Sequence, residues 1–268
     1  MVVAAENEAA VAAGYDRVYA ATPNSTTLQE LWRPRAGGGD FPADFGNISF
    51  LTVAELQAAA AALDVGPDDV LADLACGAGG PGLWVATHTG CKLVGVDLSA
   101  EGIAAATTRA AELGLDGVAS FHVGSFATTG LDSASVDGVL TVDALQYAPD
   151  KAAAYAEMAR ILRLGGRAVI AVFEVDPDRV HGVPVLGDDP VADHRPLLES
   201  AGFTVDSYEE SAGWWDRMRA AYGAVLEAEV VLRSELGDDA FDSLALEMTL
   251  TLQLEPYPRR VLAIATRR

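Results

Sequence analysis

The feature that most constrains this chain is a series of short, nearly continuous apolar runs separated by alanine-rich stretches with helical periodicity. "VLADLA" (70–75), "KLVGVDL" (92–98), "VASFHVG" (118–124), "VDGVLTVDA" (136–144) and "RAVIAVFEV" (167–175) read as five strands. Strands that do not alternate apolar with polar residues are covered on both faces, the condition of a parallel sheet between helical layers. The punctuation agrees. Thr52 and Glu55 form a capping-box pattern ahead of "LQAAAAAL", Pro81 suits a first helical turn, and Asp150 can cap "KAAAYAEMARILR" ahead of a stop at Gly165-Gly166. The expected fold class is therefore α/β, a doubly wound, Rossmann-like sheet with helices on both faces.

Two regions depart from the alternation. Residues 1–50 give one helix, "ENEAAVAAGYDRVYAA", and a loop-like "RPRAGGGDFPADFGN"; the far end gives a strand "FTVDSYEE", two helical patterns from Trp214 to Leu254 broken at "LGDD", and a last strand "RVLAIATR". This divides the chain into an N-terminal helix and lid segment (1–50), a core (51–212), a helical insertion (213–258) and a last core strand (259–268).

Charge and composition narrow the partners. Thirty-nine acidic against eighteen basic residues give a net charge of -21, the wrong sign for attraction to nucleic acid or an anionic membrane surface. The N-terminus lacks a basic stretch before an apolar core, and the longest charge-free run, 74–91, is broken by five glycines and Pro81, so neither a signal peptide nor a membrane span is read. The two cysteines, Cys76 and Cys91, fall at opposite ends of neighbouring strands and cannot bridge, which points to a reducing cytoplasm. They also lack partners at ligand spacing, so no metal site is expected.

"DLACGAGGPG" follows the first strand and holds G-x-G-x-x-G at Gly77, Gly79 and Gly82, with Asp97 at the end of the next strand, where a carboxylate can accept ribose hydroxyls. The pair indicates a nucleoside cofactor. Asp73 chooses among nucleosides: next to a pyrophosphate its charge would cost about 4 kcal/mol at ~4 Å and an effective dielectric near 20. S-adenosylmethionine carries an ammonium and a sulfonium instead, which favours it over a nicotinamide dinucleotide, whose dehydrogenases remain a distant alternative.

With these motifs in place, the chain resembles the class I S-adenosylmethionine-dependent methyltransferases. "DLACGAG" is similar to their first motif, "GVDLS" to the second strand end, "LTVDALQYAPD" to the fourth-strand motif and "MARILRLGGRAVIAVFE" to the helix and fifth strand, over roughly residues 50–210, with "RVLAIATRR" as an antiparallel seventh strand. The resemblance implies Asp73, Ala75, Gly77 and Gly79 along the methionine part of the donor, Asp97 and Leu98 at the ribose, Ser125 and Phe126 at adenine, and Asp143 facing the donor. Ala75 departs from the family's first glycine. Many small-molecule relatives carry a basic histidine where this chain has Gln146, which cannot take a proton. Gln146 is therefore a positioning candidate, and Glu174 and His181 are the candidate bases.

The acceptor walls are assigned to Tyr15 and Tyr19, one face of the first helix at i, i+4, with Phe50, Tyr147 and Trp214. The apolar insertion suggests a hydrophobic acceptor chamber or a homodimer contact. The expected activity is methyl transfer to oxygen, nitrogen or carbon of a small organic molecule such as a specialised metabolite, with a non-methylating, donor-binding protein of the same fold as the alternative.

Overall fold

A computed structural model describes residues 2–46, 48–180, 189–255 and 258–268. Seven strands form one sheet: β1 (Val70–Leu74), β2 (Lys92–Asp97), β3 (Ala119–Val123), β4 (Val136–Val142), β5 (Leu162–Glu174), β6 (Phe203–Glu210) and β7 (Arg259–Arg267), in the order β3-β2-β1-β4-β5-β7-β6. All pairings from β3 across to β5 are parallel, and β7 runs antiparallel between β5 and β6. The expected seven-stranded sheet with an antiparallel last strand is observed.

The apolar runs bury both faces. Ala72 and Leu74 of β1 with Ile170 and Val172 of β5 meet Met158 of α6 (Lys151–Ile161) and Leu198 of α7 (Arg195–Ser200). Leu71 and Val169, one residue out of phase, pack on the other side against Leu56 of α3 (Val53–Leu63) and Leu83 of α4 (Gly80–Thr89). That is the period of two of a strand covered on both sides. The punctuation held at three helix starts: Thr52 and Glu55 form a reciprocal capping box, Pro81 lies in the first turn of α4, and Asp150 accepts from Ala153 N at 2.8 Å.

Other expectations are corrected. The helix beginning at Lys151 ends at Ile161, four residues before Gly165; β5 starts at Leu162, and the glycines lie inside it, within the irregularity of its pairing with β4. A second N-terminal helix, α2 (Thr26–Ala36), takes in Arg33 to Ala36, part of the segment expected as loop. Ser25 caps it by accepting from Leu28 N, and Leu28, Trp32 and Ala36 line its buried face, a spacing of four that the proline and glycines nearby obscured. Among the described residues the insertion holds three helices instead of two: α8 (Trp214–Glu227), α9 (Glu229–Leu236) and α10 (Asp238–Leu252). With α2 they form a third apolar cluster around Trp32, Phe50, Trp214, Tyr222 and Phe241. The long N-terminal helix α1 (Val2–Ala21) then bridges the two halves, touching both α10 and α5 (Ala100–Glu112). No helix among the described residues is long and apolar enough to cross a membrane.

Candidate functional site

Strand order reverses at β1, whose neighbours are β2 and β4, and a crevice opens there at the carboxyl ends. A cavity of about 400 Å³ occupies it. Its floor is the glycine loop after β1 and the ends of β2, β3 and β4; its roof is α1, and its far wall comes from α2, α8 and α10.

The loop turns tightly enough to need left-handed backbone at Ala75 (φ 57°), Gly77 (φ 52°) and Gly79 (φ 82°). Ala75 holds this conformation with a Cβ, at a cost of about 1–2 kcal/mol that a glycine would avoid. Gly82 is required by crowding, because a Cβ there would lie 2.5 Å from Asp73 Oδ2. Gly79 turns the chain into α4 and does not line the cavity, whereas Asp73, Ala75 and Gly77 do.

Two carboxylates sit on this floor. Asp73 accepts from Gly82 N at 3.0 Å, and Asp97 accepts from Gly77 N at 2.7 Å and from Ser99 N at 2.8 Å. Burial pushes Asp73 up to about 7, against the opposing Gly82 hydrogen bond and aided by the charge of Asp97; burial also raises Asp97. Neither forms an ion pair among the described residues. Uncompensated buried carboxyls in a cavity call for a ligand that brings positive charge and hydrogen-bond donors. That donor set fits an ammonium, a sulfonium and ribose hydroxyls, and opposes a pyrophosphate. Leu98, Ser125 and Phe126 line the same cavity beside Asp97.

The roof is pinned along the C-terminal turns of α1. Asp16 of α1 accepts from Ser99 Oγ at 2.6 Å and from Glu101 N at 3.2 Å, at the start of α5. Tyr19 lies over the glycine loop, so that a Cβ on Gly77 would meet its hydroxyl. Tyr15 stacks on Tyr19 with ring centroids 5.8 Å apart and reaches Tyr147 by a 3.1 Å hydroxyl contact. Phe50 and Trp214 also line the cavity. All five sequence-assigned acceptor-wall residues are thus gathered around one space.

The polar end of β4 behaves differently from its expected orientation toward a donor. Asp143, at φ 54°, lines the cavity but commits both carboxylate oxygens to Arg260, accepting from Nε at 2.7 Å and from Nη2 at 3.2 Å, and it also accepts from Phe50 N at 3.0 Å. Arg260 is fully buried and further bound to Glu55 and Ser211. Gln146 lines the cavity and turns its Nε2 back to the Asp143 carbonyl at 2.7 Å.

The two candidate bases fare unequally. Glu174 is the last residue of β5; it accepts from the Tyr208 hydroxyl and from Arg259 Nη1, and it is outside the cavity lining. Its pairing removes the geometric basis for a role as base. His181 lies outside the described residues. Among those residues no cluster of three or more His, Cys, Asp or Glu could hold a metal ion.

Sequence reading missed Glu247 and Tyr222. Glu247 of α10 is half-buried at the cavity wall, accepting from Tyr15 at 3.1 Å and from Tyr222 at 3.3 Å. Burial raises its carboxyl, and hydrogen bonds from Tyr147, Tyr15 and Tyr222 oppose the rise. Its only local signal is a lone charge within "LALEMTLTLQL".

Comparison with known proteins agrees with this geometry. Residues 72–170 match the family described as a methyltransferase domain. The chain is 28% identical over 188 residues to methyltransferase GfsG of Streptomyces halstedii, covering 66% of each. It spans 28% of a sterol 24-C-methyltransferase and 52% of a 24-methylenesterol C-methyltransferase that it also resembles. Among solved structures, the [4+2]-cyclase SpnF superposes with a TM-score of 0.75 at 18% identity, over 96% of this chain and 95% of that one. Geranyl diphosphate C-methyltransferase of Streptomyces coelicolor A3(2), solved with Mg²⁺, geranyl diphosphate and S-adenosyl-L-homocysteine, superposes with a TM-score of 0.65 at 18% identity, over 98% of each.

Proposed function

Since the chain carries a class I S-adenosylmethionine-dependent methyltransferase domain, we propose that it binds S-adenosylmethionine and transfers its methyl group to oxygen, nitrogen or carbon of a small organic acceptor, a specialised metabolite. The observation that carries this reading is the pair of carboxylates on the glycine-loop floor, the buried Asp73 and the half-buried Asp97, without an ion-pair partner among the described residues.

Bound there, the donor supplies an electrophilic methyl group on sulfur. Asp73 receives the ammonium of the methionine part, and Asp97 has lone pairs left for ribose hydroxyls beyond its two backbone bonds. Leu98 lies with Asp97 at the ribose, and Ser125 and Phe126 flank adenine. Tyr15 and Tyr19 close the roof, and Phe50, Tyr147 and Trp214 hold the acceptor and exclude water. Gln146 and the aromatic walls act by orientation, an effect that can supply ~7–11 kcal/mol when two reactants are held in a productive geometry. The buried, unbridged cysteines Cys76 and Cys91 support a reducing, cytoplasmic setting.

Calorimetry tests the donor. Binding of S-adenosylmethionine and S-adenosylhomocysteine, with none of the nicotinamide dinucleotides, is expected; tight dinucleotide binding without either sulfur nucleoside would overturn the proposal. A second reading is favoured by the absence of a free base at Gln146 and Glu174: the fold binds the donor and its chamber promotes another reaction, as the likeness to a cyclase allows. Incubating methyl-labelled donor with metabolite extracts separates the two. Label appearing in a product supports transfer, and product forming without label supports the second reading.

A further inference from the structure

Glu247 is the group that the donor reading leaves unused. It is half-buried on the wall of the main cavity and also borders a smaller apolar space of about 30 Å³ behind it, lined by Val18, Leu28, Trp32, Ile48, Leu244 and Met248. No glycine-loop residue reaches that second space. Three phenol hydroxyls, from Tyr15, Tyr147 and Tyr222, converge on the carboxylate. Such donors stabilise its charged form, yet they are neutral and leave the negative charge uncompensated. Among the described residues no ion pair to Glu247 is formed, and the sequence outside them contains neither lysine nor arginine.

The surrounding rings point the same way. Trp32, Phe50 and Tyr222 pack with centroids 5.3 to 5.9 Å apart on this wall. Aromatic faces attract cations, and more strongly where water is excluded. A carboxylate with aromatic faces beside it and an apolar recess behind it is complementary to a positive head group on an apolar body.

We infer that Glu247, within its ring of Tyr15, Tyr147 and Tyr222, is the anchor for an alkylammonium group carried by the acceptor molecule. The inference rests on the methyltransferase reading for its division of the cavity into donor and acceptor halves. Glu247 fixes the acceptor's charged end, leaving a different atom of that molecule toward the β4 end of the cavity. A neutral analogue of the same shape leaves the carboxylate without a counter-charge and is rejected.

The test uses the full chain and two shape-matched probes, cyclohexylmethylammonium and cyclohexylmethanol, titrated with and without saturating S-adenosylhomocysteine. The wild type is expected to bind the cation at least 10-fold more tightly than the alcohol. Glu247→Gln removes that preference while S-adenosylhomocysteine affinity stays within about 2-fold, and Tyr222→Phe weakens the preference without abolishing it. Equal affinity for the two probes overturns the inference, as does a preference that survives Glu247→Gln. A selective loss of S-adenosylmethionine affinity relative to S-adenosylhomocysteine in Glu247→Gln also overturns it, because Glu247 would then serve the sulfonium. Cation preference in a protein that binds neither sulfur nucleoside supports the cation site and overturns the methyltransferase reading instead.

Discussion

Asp143 and Glu247 are both carboxylates on the wall of one cavity, and only one of them is neutralised. At the β4 end, Asp143 meets the fully buried Arg260, which Glu55 and Ser211 also hold. Across the cavity, Glu247 meets three phenols and no cation among the described residues. The difference separates structural from functional use of charge. A carboxylate whose counter-charge is built into the chain tightens the fold, here by tying β4 to β7 and to the segment before α3. One whose counter-charge is missing sits at higher energy until a ligand arrives. Asp73 and Asp97 fall on the same side of this divide as Glu247.

The largest expected effect breaks the compensated side. Arg260→Met leaves Asp143 and Glu55 without their shared cation, and should cost about 3–5 kcal/mol of stability, read by urea unfolding. A loss below 1 kcal/mol would mean that the network carries little. On the uncompensated side, Asp97→Ala is expected to weaken S-adenosylmethionine binding by ~10–100-fold, the range for losing hydrogen bonds to a charged group, whereas Gln146→Ala changes it less than about 3-fold. The reverse order in calorimetry would show that the ribose is misplaced.

Asp73 sharpens the comparison through pH. Its folded-state value of about 7 lies above the ordinary 3.8, so its favourable contribution to ligand-free stability is complete below pH 3.8 and is lost as pH rises through about 7. Over that same upper range the carboxyl ionises, and affinity for a cationic donor should increase. Asp73→Asn is expected to flatten both trends and to lower donor affinity at pH 8; a pH profile for binding identical to that of the wild type would remove Asp73 from the site. The smallest effect concerns the loop backbone. Ala75→Gly relieves the left-handed strain at φ 57° and should raise stability by up to about 1 kcal/mol, with donor affinity retained.

The sheet was legible because each buried strand announces itself in a handful of adjacent residues, and the same holds for the capped starts of α3 and α6 and for the proline in the first turn of α4. The glycine loop and Asp97 were legible for a related reason: their spacing is fixed by a single strand-helix-strand unit. Helix α2 was not, because Pro34 and the glycines after it outweighed the four-residue spacing of Leu28, Trp32 and Ala36. Glu174 was misread for want of its neighbours. Its strand-end position suggested access, but Arg259 and Tyr208 lie on β7 and β6 and occupy it.

By itself, then, the chain's sequence determined a doubly wound sheet and a nucleoside-type loop, since periodicity and turn chemistry act between residues close along the chain. Tertiary structure alone decided which carboxylates are paired. Arg260 reaches Asp143 across 117 positions, and Tyr15 reaches Glu247 across 232. Electrostatic energy depends on separation in space and on the loss of water, and neither quantity is written in local sequence.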